Sequence, residues 1–494
     1  MKAPGVHAGL TAGVGGLAIA GALALAAAFH PGLARSQGQP APSDPGLVAR
    51  GKYLTAAADC AACHTKPGGA PFAGGLPVKT PFGTILSANI TPDETGIKDW
   101  TADELYRSLH EGLDDEGKHL YPAMPYNYYT LISRSDSDAI FAYLKTLTPV
   151  HNDLKRDKLP FPFNIRAFVA VWNWLFLRQG PFKPDPQKSA AWNRGAYLVE
   201  ALGHCQACHT PKNFLGAPKH DDAFRGGSFA QWFAPDLTPN RRTGLGGWSR
   251  ADLVEFLKTG RNAHSQATGE MGLVVADSTS QLTEADLDAI ATYLTDRPAS
   301  PAAKVSAPDS KVMRQGQAIF IDTCSACHQM NGEGVPRYFP PLAGDANLQQ
   351  SDPTTSVHFI LGGVRTTPTT AAPTPLSMPS YAWKLNDAQV AAVATYIRNA
   401  WGNSAPSVSS RQVAGIRRSL TFGPGPAGRQ QHGALAHPNP ETWGVAGTDS
   451  RDNGTANAGR AAPASDGSGA GRSGAENGGA SKGRPAGVTA GGPG

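Results

Sequence analysis

The sequence predicts a mainly α-helical chain of three tandem domains followed by a disordered C-terminal tail. Three observations carry this. A five-residue word recurs as Cys60-Ala-Ala-Cys63-His64, Cys205-Gln-Ala-Cys208-His209 and Cys324-Ser-Ala-Cys327-His328, and together the three copies take up all six cysteines. Around each word the same order of segments returns, which is the mark of internal repetition. From Asn403 onward the composition turns to Gly, Ala, Pro and Ser with scattered charge, and such a stretch cannot offset the entropy of folding. A length of 494 residues suits about three domains.

The N-terminus, residues 1–36, reads as a secretory signal: Lys2, an Ala/Gly/Leu run ending near Phe29, then Pro31 and the small-residue site Ala34-Arg35-Ser36. An uncleaved membrane helix is the alternative, although the run is rich in Ala and Gly and only weakly hydrophobic. Ahead of each word lies a short helical pattern with a glycine, Gly51-Lys52-Tyr53-Leu54, Gly195-Ala196-Tyr197-Leu198 and Gly316-Gln317-Ala318-Ile319-Phe320. Behind the words come proline-rich stretches that exclude long helix: Thr80 to Asp93, Phe233 to Asn240, and the shorter Phe339 to Gly344.

Trp100 to Gly112 and Trp248 to Gly260 are one helix written twice. Thr101 with Glu104 and Ser249 with Asp252 supply capping boxes, and the glycines supply the stops. Closing helices follow, with expected caps at Ser135-x-x-Asp138, Thr283-x-x-Asp286 and Asn386-x-x-Gln389, leading to Tyr143, Tyr293 and Tyr396. The expected boundaries are 45–148, 191–298 and 310–402 for the domains, 149–190 for an apolar linker and 403–494 for the tail.

The net charge is only +5, and no basic stripe suggests nucleic-acid binding. Nine Arg and Lys against five Asp and Glu in residues 403–494 place four of those five charges in the tail.

C-x-x-C-H is the attachment pattern of c-type haem, in which two thiols add to the vinyl groups and the adjacent imidazole reaches the iron. Cys60, Cys63, Cys205, Cys208, Cys324 and Cys327 are thus the expected haem-binding residues, and His64, His209 and His328 the proximal ligands. A zinc site would need a second Cys or His pair for each word, and a redox C-x-x-C needs no His after it.

A second axial ligand turns such a haem into an electron carrier. Of six methionines, Met124, Met271 and Met378 fall 60, 62 and 50 residues after the three histidines, each shortly before a closing helix. Met1 is the initiator, Met313 precedes the third word, and Met330 follows it too closely to cross the ring. The three spaced methionines are the expected sixth ligands, against the alternative that Met simply fills space. Thioether ligation raises the potential relative to two imidazoles.

With these residues laid out, the chain from about Gly46 to Trp401 resembles the triheme cytochrome c subunits of the membrane-bound, quinone-linked dehydrogenases of acetic-acid-type bacteria, those of alcohol, gluconate and sorbitol dehydrogenases. The likeness rests on Ala58-Asp59-Cys60, Thr80-Pro81-Phe82-Gly83-Thr84, Asn89-Ile90-Thr91-Pro92, Tyr121-Pro122-Ala123-Met124-Pro125-Tyr126, Gly203-His204-Cys205 and Gly269-Glu270-Met271. It implies three cytochrome c-type domains with three covalent haems c, and electron transfer from a PQQ- or flavin-bearing dehydrogenase subunit to ubiquinone. It also implies a place on the periplasmic face of the cytoplasmic membrane. The long tail goes beyond the family pattern.

A catalytic haem enzyme, a peroxidase or small-oxyanion reductase, is the alternative. It would need one open iron, and Met271 is the ligand to suspect. No dinucleotide fingerprint and no propeller repeat points to PQQ or flavin in this chain. Phe161 to Leu177 is the most apolar stretch after the signal and too short to span a bilayer. Phe161, Phe163, Phe168, Val171, Trp172, Leu175 and Phe176 are expected on one broad side, either resting on the membrane surface or buried as a strut between domains.

Overall fold

A computed structural model describes residues 44–154, 159–229, 231–301 and 303–420. The expected signal, 1–36, and the tail beyond residue 420 lie outside the described residues.

Three helix pairs organise the chain. Helix α1 (Pro45–Ala57) packs on α3 (Arg134–Leu144), α5 (Ala190–Tyr197) on α8 (Glu284–Thr295), and α9 (Ser310–Thr323) on α11 (Asp387–Ile397). The repeated glycines set all three crossings. A Cβ on Gly51 would fall 1.9 Å from the Ala139 carbonyl oxygen, on Gly195 1.9 Å from that of Ala289, and on Gly316 2.2 Å from that of Ala392. Only a residue without a side chain lets the backbones meet so closely. In each pair the tyrosine of the closing helix, Tyr143, Tyr293 or Tyr396, covers the glycine.

Between the members of each pair lies a further helix: α2 (Ala102–Glu111), α6 (Arg250–Thr259) and α10 (Thr354–Gly362). The capping boxes Thr101/Glu104 and Ser249/Asp252 form as expected, and Gly112 and Gly260 end their helices at φ of 67° and 78°. Helix α10 has neither a leading tryptophan nor a side-chain cap. One cap differs from the sequence reading: α3 is capped by Ser133, whose hydroxyl accepts from the Asp136 N–H at 3.2 Å, not by Ser135. The proline-rich stretches supply short antiparallel hairpins, β1 (Pro77–Thr80) with β2 (Gly83–Leu86), and β3 (Arg225–Phe229) with β4 (Trp232–Asp236). In the third repeat the hairpin comes later, as β5 (Val364–Arg365) with β6 (Ser377–Met378).

The first two repeats share one apolar core, in which Leu54, Tyr143, Leu198, Leu202, Leu287 and Tyr293 are all buried. The third has its own, built on Phe320, Val357, Leu361, Val390 and Val393.

The linker carries α4 (Ala167–Phe176) between α3 and α5, and the expected apolar side is turned. Trp172 faces inward: its indole N–H donates to the Leu215 carbonyl at 3.0 Å and its ring meets Tyr126 and Phe176. Asn173 accepts from the Tyr126 hydroxyl at 2.7 Å. Those contacts leave Phe161, Phe168, Val171, Trp174 and Leu175 outermost, with Trp174 82% exposed. The segment is therefore not a buried strut. No helix among the described residues is long and apolar enough to cross a membrane.

The expected disordered tail also starts too early. Residues 403–420 fold back over the third core as α12 (Ser410–Ser419), with Val408, Val413 and Leu420 buried. Ser409 and Gln412 form a capping box, and the Arg417 Nε donates to Asp387 Oδ1 at 2.7 Å. A few well-spaced apolar residues and a cap suffice here, and the composition of the long stretch behind them hides both.

Candidate haem-attachment sites

Each cysteine word forms a single helical turn at the end of the preceding helix: Cys60–His64, Gln206–His209 and Ser325–His328. All six thiols are free, and burial pushes Cys60, Cys63, Cys205 and Cys208 up to about 12 and Cys324 to about 11. Among the described residues no group of three or more His, Cys, Asp or Glu side chains comes together as a tetrahedral zinc site would need.

The histidines are oriented in one way at all three turns. Nδ1 of His64 lies 2.7 Å from the Ala88 carbonyl, Nδ1 of His209 2.7 Å from that of Pro235, and Nδ1 of His328 3.0 Å from that of Pro340. A carbonyl oxygen only accepts, so Nδ1 carries the proton and donates, and Nε2 keeps its lone pair for a metal. Burial lowers all three imidazoles below their ordinary range, only partly offset by these hydrogen bonds, which favours the neutral ligating form. The three carbonyls come from the proline-rich stretches. Those stretches orient the imidazoles as well as forming loop and hairpin, a role that spacing alone does not reveal. Paired free thiols beside an imidazole whose Nε2 keeps its lone pair fit a covalently attached haem.

The candidate sixth ligands are spread over different elements. Met124 sits in a turn where the Tyr126 N–H donates to its carbonyl at 2.8 Å, and the segment is braced by α4. Met271 is near the start of α7 (Gly269–Asp277), and both it and Met124 pack against the shared core. Met378 lies on β6 against the third core.

Neighbouring sites are close. Tyr129 donates to the Ala58 carbonyl at 2.7 Å, just ahead of Cys60, and its ring meets His204, just ahead of Cys205, edge-on at 5.3 Å. Asp59 and His204, each directly before a first cysteine, are held at positive φ, 53° and 35°. Helix α7 rests on the Cys60–His64 turn, while Thr268, before its first residue, bridges to Thr366 beside β5.

The cytochrome c family model matches residues 48–148 and 313–401. The chain is 40% identical over 400 residues to the gluconate 2-dehydrogenase cytochrome c subunit of Pantoea cypripedii, covering 76% of this chain and 90% of that protein. It is 37% identical over 414 residues to the cytochrome c subunit of the quinone alcohol dehydrogenase of Gluconacetobacter polyoxogenes, covering 79% and 88%. This chain belongs to the family of dehydrogenase cytochrome c subunits.

A longer relative, from the nicotinate dehydrogenase of Pseudomonas putida, is also 40% identical over 372 residues, 73% of this chain, but the chain spans only 31% of that protein. The cofactor of the cytochrome c family is haem c, bound through thioethers and serving electron transfer. In this cytochrome c subunit the family model leaves out the middle repeat, residues 149–312, although its attachment turn, glycine crossing and imidazole hydrogen bond reproduce those of the other two.

Proposed function

We propose that the chain is a triheme electron-transfer subunit with three cytochrome c-type domains, 45–148, 191–298 and 310–402. Cys60/Cys63, Cys205/Cys208 and Cys324/Cys327 attach the haems, His64, His209 and His328 are the proximal ligands, and Met124, Met271 and Met378 are the sixth. The observation that carries this reading is the threefold donation from imidazole Nδ1 to a backbone carbonyl at 2.7, 2.7 and 3.0 Å. In this role the subunit takes electrons from a PQQ- or flavin-bearing dehydrogenase subunit of alcohol, gluconate or sorbitol type and passes them to ubiquinone on the periplasmic face of the cytoplasmic membrane. The names of the relatives support a dehydrogenase and, for the alcohol enzyme, a quinone.

The pyridine haemochrome of denatured full-length protein tests the count. Three covalent haems per chain are expected, and two would remove one attachment site from the reading. The reduced native protein should leave carbon monoxide unbound if all three methionines ligate. Full binding at one haem would favour the catalytic alternative.

The outward ridge of Phe161, Phe168, Val171, Trp174 and Leu175 supports contact with a membrane surface, since Trp and Phe suit the headgroup boundary. Phe168→Ser with Trp174→Ser should weaken binding to anionic lipid vesicles with haem spectra unchanged. Undiminished vesicle binding by that variant would overturn the membrane role of the ridge.

A further inference from the structure

Between the second and third sites stands a tryptophan that the haem assignment does not use. Trp232 opens β4, three residues before Pro235, whose carbonyl orients His209. Its indole also presses on Gly269, two residues before Met271: a Cβ there would fall 2.7 Å from Trp232 Cζ2. Gly269 is held at φ of 55°, so this position combines a left-handed backbone with a ring laid directly on it. Trp232 thus touches the segment that supplies one expected axial ligand of the second site, and its strand steers the other.

The indole also reaches the third repeat. It stacks on the His358 imidazole with centroids 3.9 Å apart and planes 7° from parallel, and Phe359 packs beside it at 5.6 Å. His358 is 1% exposed and lies on α10. The end of that helix secures the Met378 hairpin. Ser380 Oγ donates to the Leu361 carbonyl at 2.6 Å, the Tyr381 N–H to that of Ile360 at 2.9 Å, and Gly363 lies hard against the Met378 carbonyl. Polar contacts flank the stack. The Phe233 N–H donates to Thr355 Oγ1 at 2.9 Å, that hydroxyl donates back to the Phe233 carbonyl at 2.9 Å, and Thr268 bridges to Thr366.

We propose that the stacked pair Trp232–His358 is the electronic bridge between the second and third haem sites, with Trp232 the residue that sets the rate of electron exchange between them. The proposal rests on the haem assignment above. Electronic coupling decays steeply with distance and more steeply through gaps than through packed atoms, and the stack replaces a gap with two π systems in van der Waals contact. Trp232 keeps its own electrons throughout. One electron passes from the iron at one site, which is oxidised, to the iron at the other, which is reduced, and no bond forms and no proton moves. The bridge also places the second site in the middle of the relay, since α7 rests on the first attachment turn while Thr268 and Trp232 reach the third repeat.

The test uses the full-length holo-cytochrome, oxidised and then given less than one electron per chain by flash photoreduction, with redistribution followed in the α-bands. Trp232→Leu should slow one redistribution phase at least several-fold while the others, the three midpoint potentials and the Met-ligation charge-transfer band stay as in the wild type. Trp232→Phe, which keeps a ring in the stack, should fall between. Unchanged phases in both variants would overturn the bridge. So would slowing that appears only with a shifted potential or a lost Met band, because that assigns Trp232 a packing role for Met271. If Trp232→Leu loses haem, the Phe variant with its spectra and potentials decides in the same way. A haemochrome count below three in the wild type would instead strike the assignment on which the bridge rests.

Discussion

The first two repeats and the third carry the same attachment turn, the same glycine crossing and the same histidine hydrogen bond, yet they are joined differently. Repeats one and two are fused through a reciprocal exchange of tyrosines. Tyr197 of the second donates to Asp136 of the first at 2.7 Å, where Arg50 also binds, and Tyr53 of the first donates to Asp286 of the second at 2.6 Å, where Arg194 binds. The positions that correspond to Arg50, Tyr53 and Asp136 in the third repeat are Gln315, Ala318 and Gln389, so the exchange has no members there. That repeat meets the second across the Trp232–His358 stack and a set of polar contacts instead, such as Arg337 with Glu255 at 2.5 Å and Gln350 with the Thr243 carbonyl at 2.5 Å. One apolar core thus spans two of the cysteine turns and a second core holds the third. Two cores for three repeats lead to the expectation of two cooperative units, set by what each first helix offers its neighbour.

The sharpest way to break this comparison is at the glycine crossings. Gly195→Ala puts a methyl group inside the distance where α8 presents its Ala289 carbonyl, and overpacking of this kind costs about 3 kcal/mol. Calorimetry of the holo-protein should show two transitions, and this substitution should lower the one that reports the first and second sites together. Gly316→Ala should lower the other. If Gly195→Ala moved a transition belonging to the second site alone, the fused core would be wrong as a thermodynamic unit.

Next in size is the removal of α12. Ending the chain at Asn403 takes Val408, Val413 and Leu420 out of the third core, each worth roughly 1.5–3 kcal/mol when fully buried. The third transition should fall or vanish, the fused pair should keep its own, and haemochrome analysis after mild heating should show preferential loss of one haem. A truncated protein with both transitions unchanged would show that the third core closes without α12.

These outcomes turn on features unequally legible in the sequence. The attachment turns, the glycines, the capping boxes of α2, α6 and α11 and the Thr283 hydroxyl cap of α8 are local, and local chemistry reads directly from residue order. The cap of α3 falls two residues from its expected place because Ser133 and Ser135 compete in one stretch, and the choice is set by Asp136, whose carboxylate is engaged by Arg50 and Tyr197 from elsewhere. The inward turn of Trp172 depends on Leu215 and Tyr126, which lie 43 and 46 residues away in the chain. The carbonyls that orient the histidines have no side-chain signature at all, and α12 is hidden by the composition behind it.

A smaller effect tests the tyrosine exchange itself. Tyr53→Phe and Tyr197→Phe each remove a hydrogen bond to a carboxylate and one accepted from a backbone N–H, that of Thr283 or Ser133, while leaving the arginine in place, at a cost of roughly 1.5–3 kcal/mol. Both should lower the fused transition and leave the third alone. Because the two clamps bind the same pair of repeats, the double variant should lower the fused transition further still. An effect of either substitution on the third transition would mean that the polar seam transmits more than its hydrogen bonds suggest.

The smallest expected difference lies in how the two units respond to pH. The fused core buries an acid, Asp277 at 3% exposure, beside Ser278, whose hydroxyl reaches the Ala57 carbonyl at 3.5 Å. The third core buries a base, Arg398 at 0% exposure, whose guanidinium donates to the Gln350 carbonyl at 2.8 Å. Burial pushes Asp277 up to about 7, against roughly 3.9 in an unfolded chain, so the folded form holds a proton that the unfolded form has released over that window. Its contribution is fully present below the unfolded value and is lost as pH rises through the folded one. Burial pushes Arg398 down to about 10, so its titration begins well above that range. The fused transition should therefore lose stability between about pH 4 and pH 7 through Asp277, while in the third repeat Arg398 contributes no slope there and Asp345, which burial pushes up only to about 6, gives a smaller loss. Asp277→Asn, which cannot ionise, should reduce the dependence of the fused transition, leaving the part carried by Asp59 and Glu270, whose carboxyls burial also raises, and should leave the third transition untouched. An unchanged slope in that variant would place the titrating group elsewhere in the fused core.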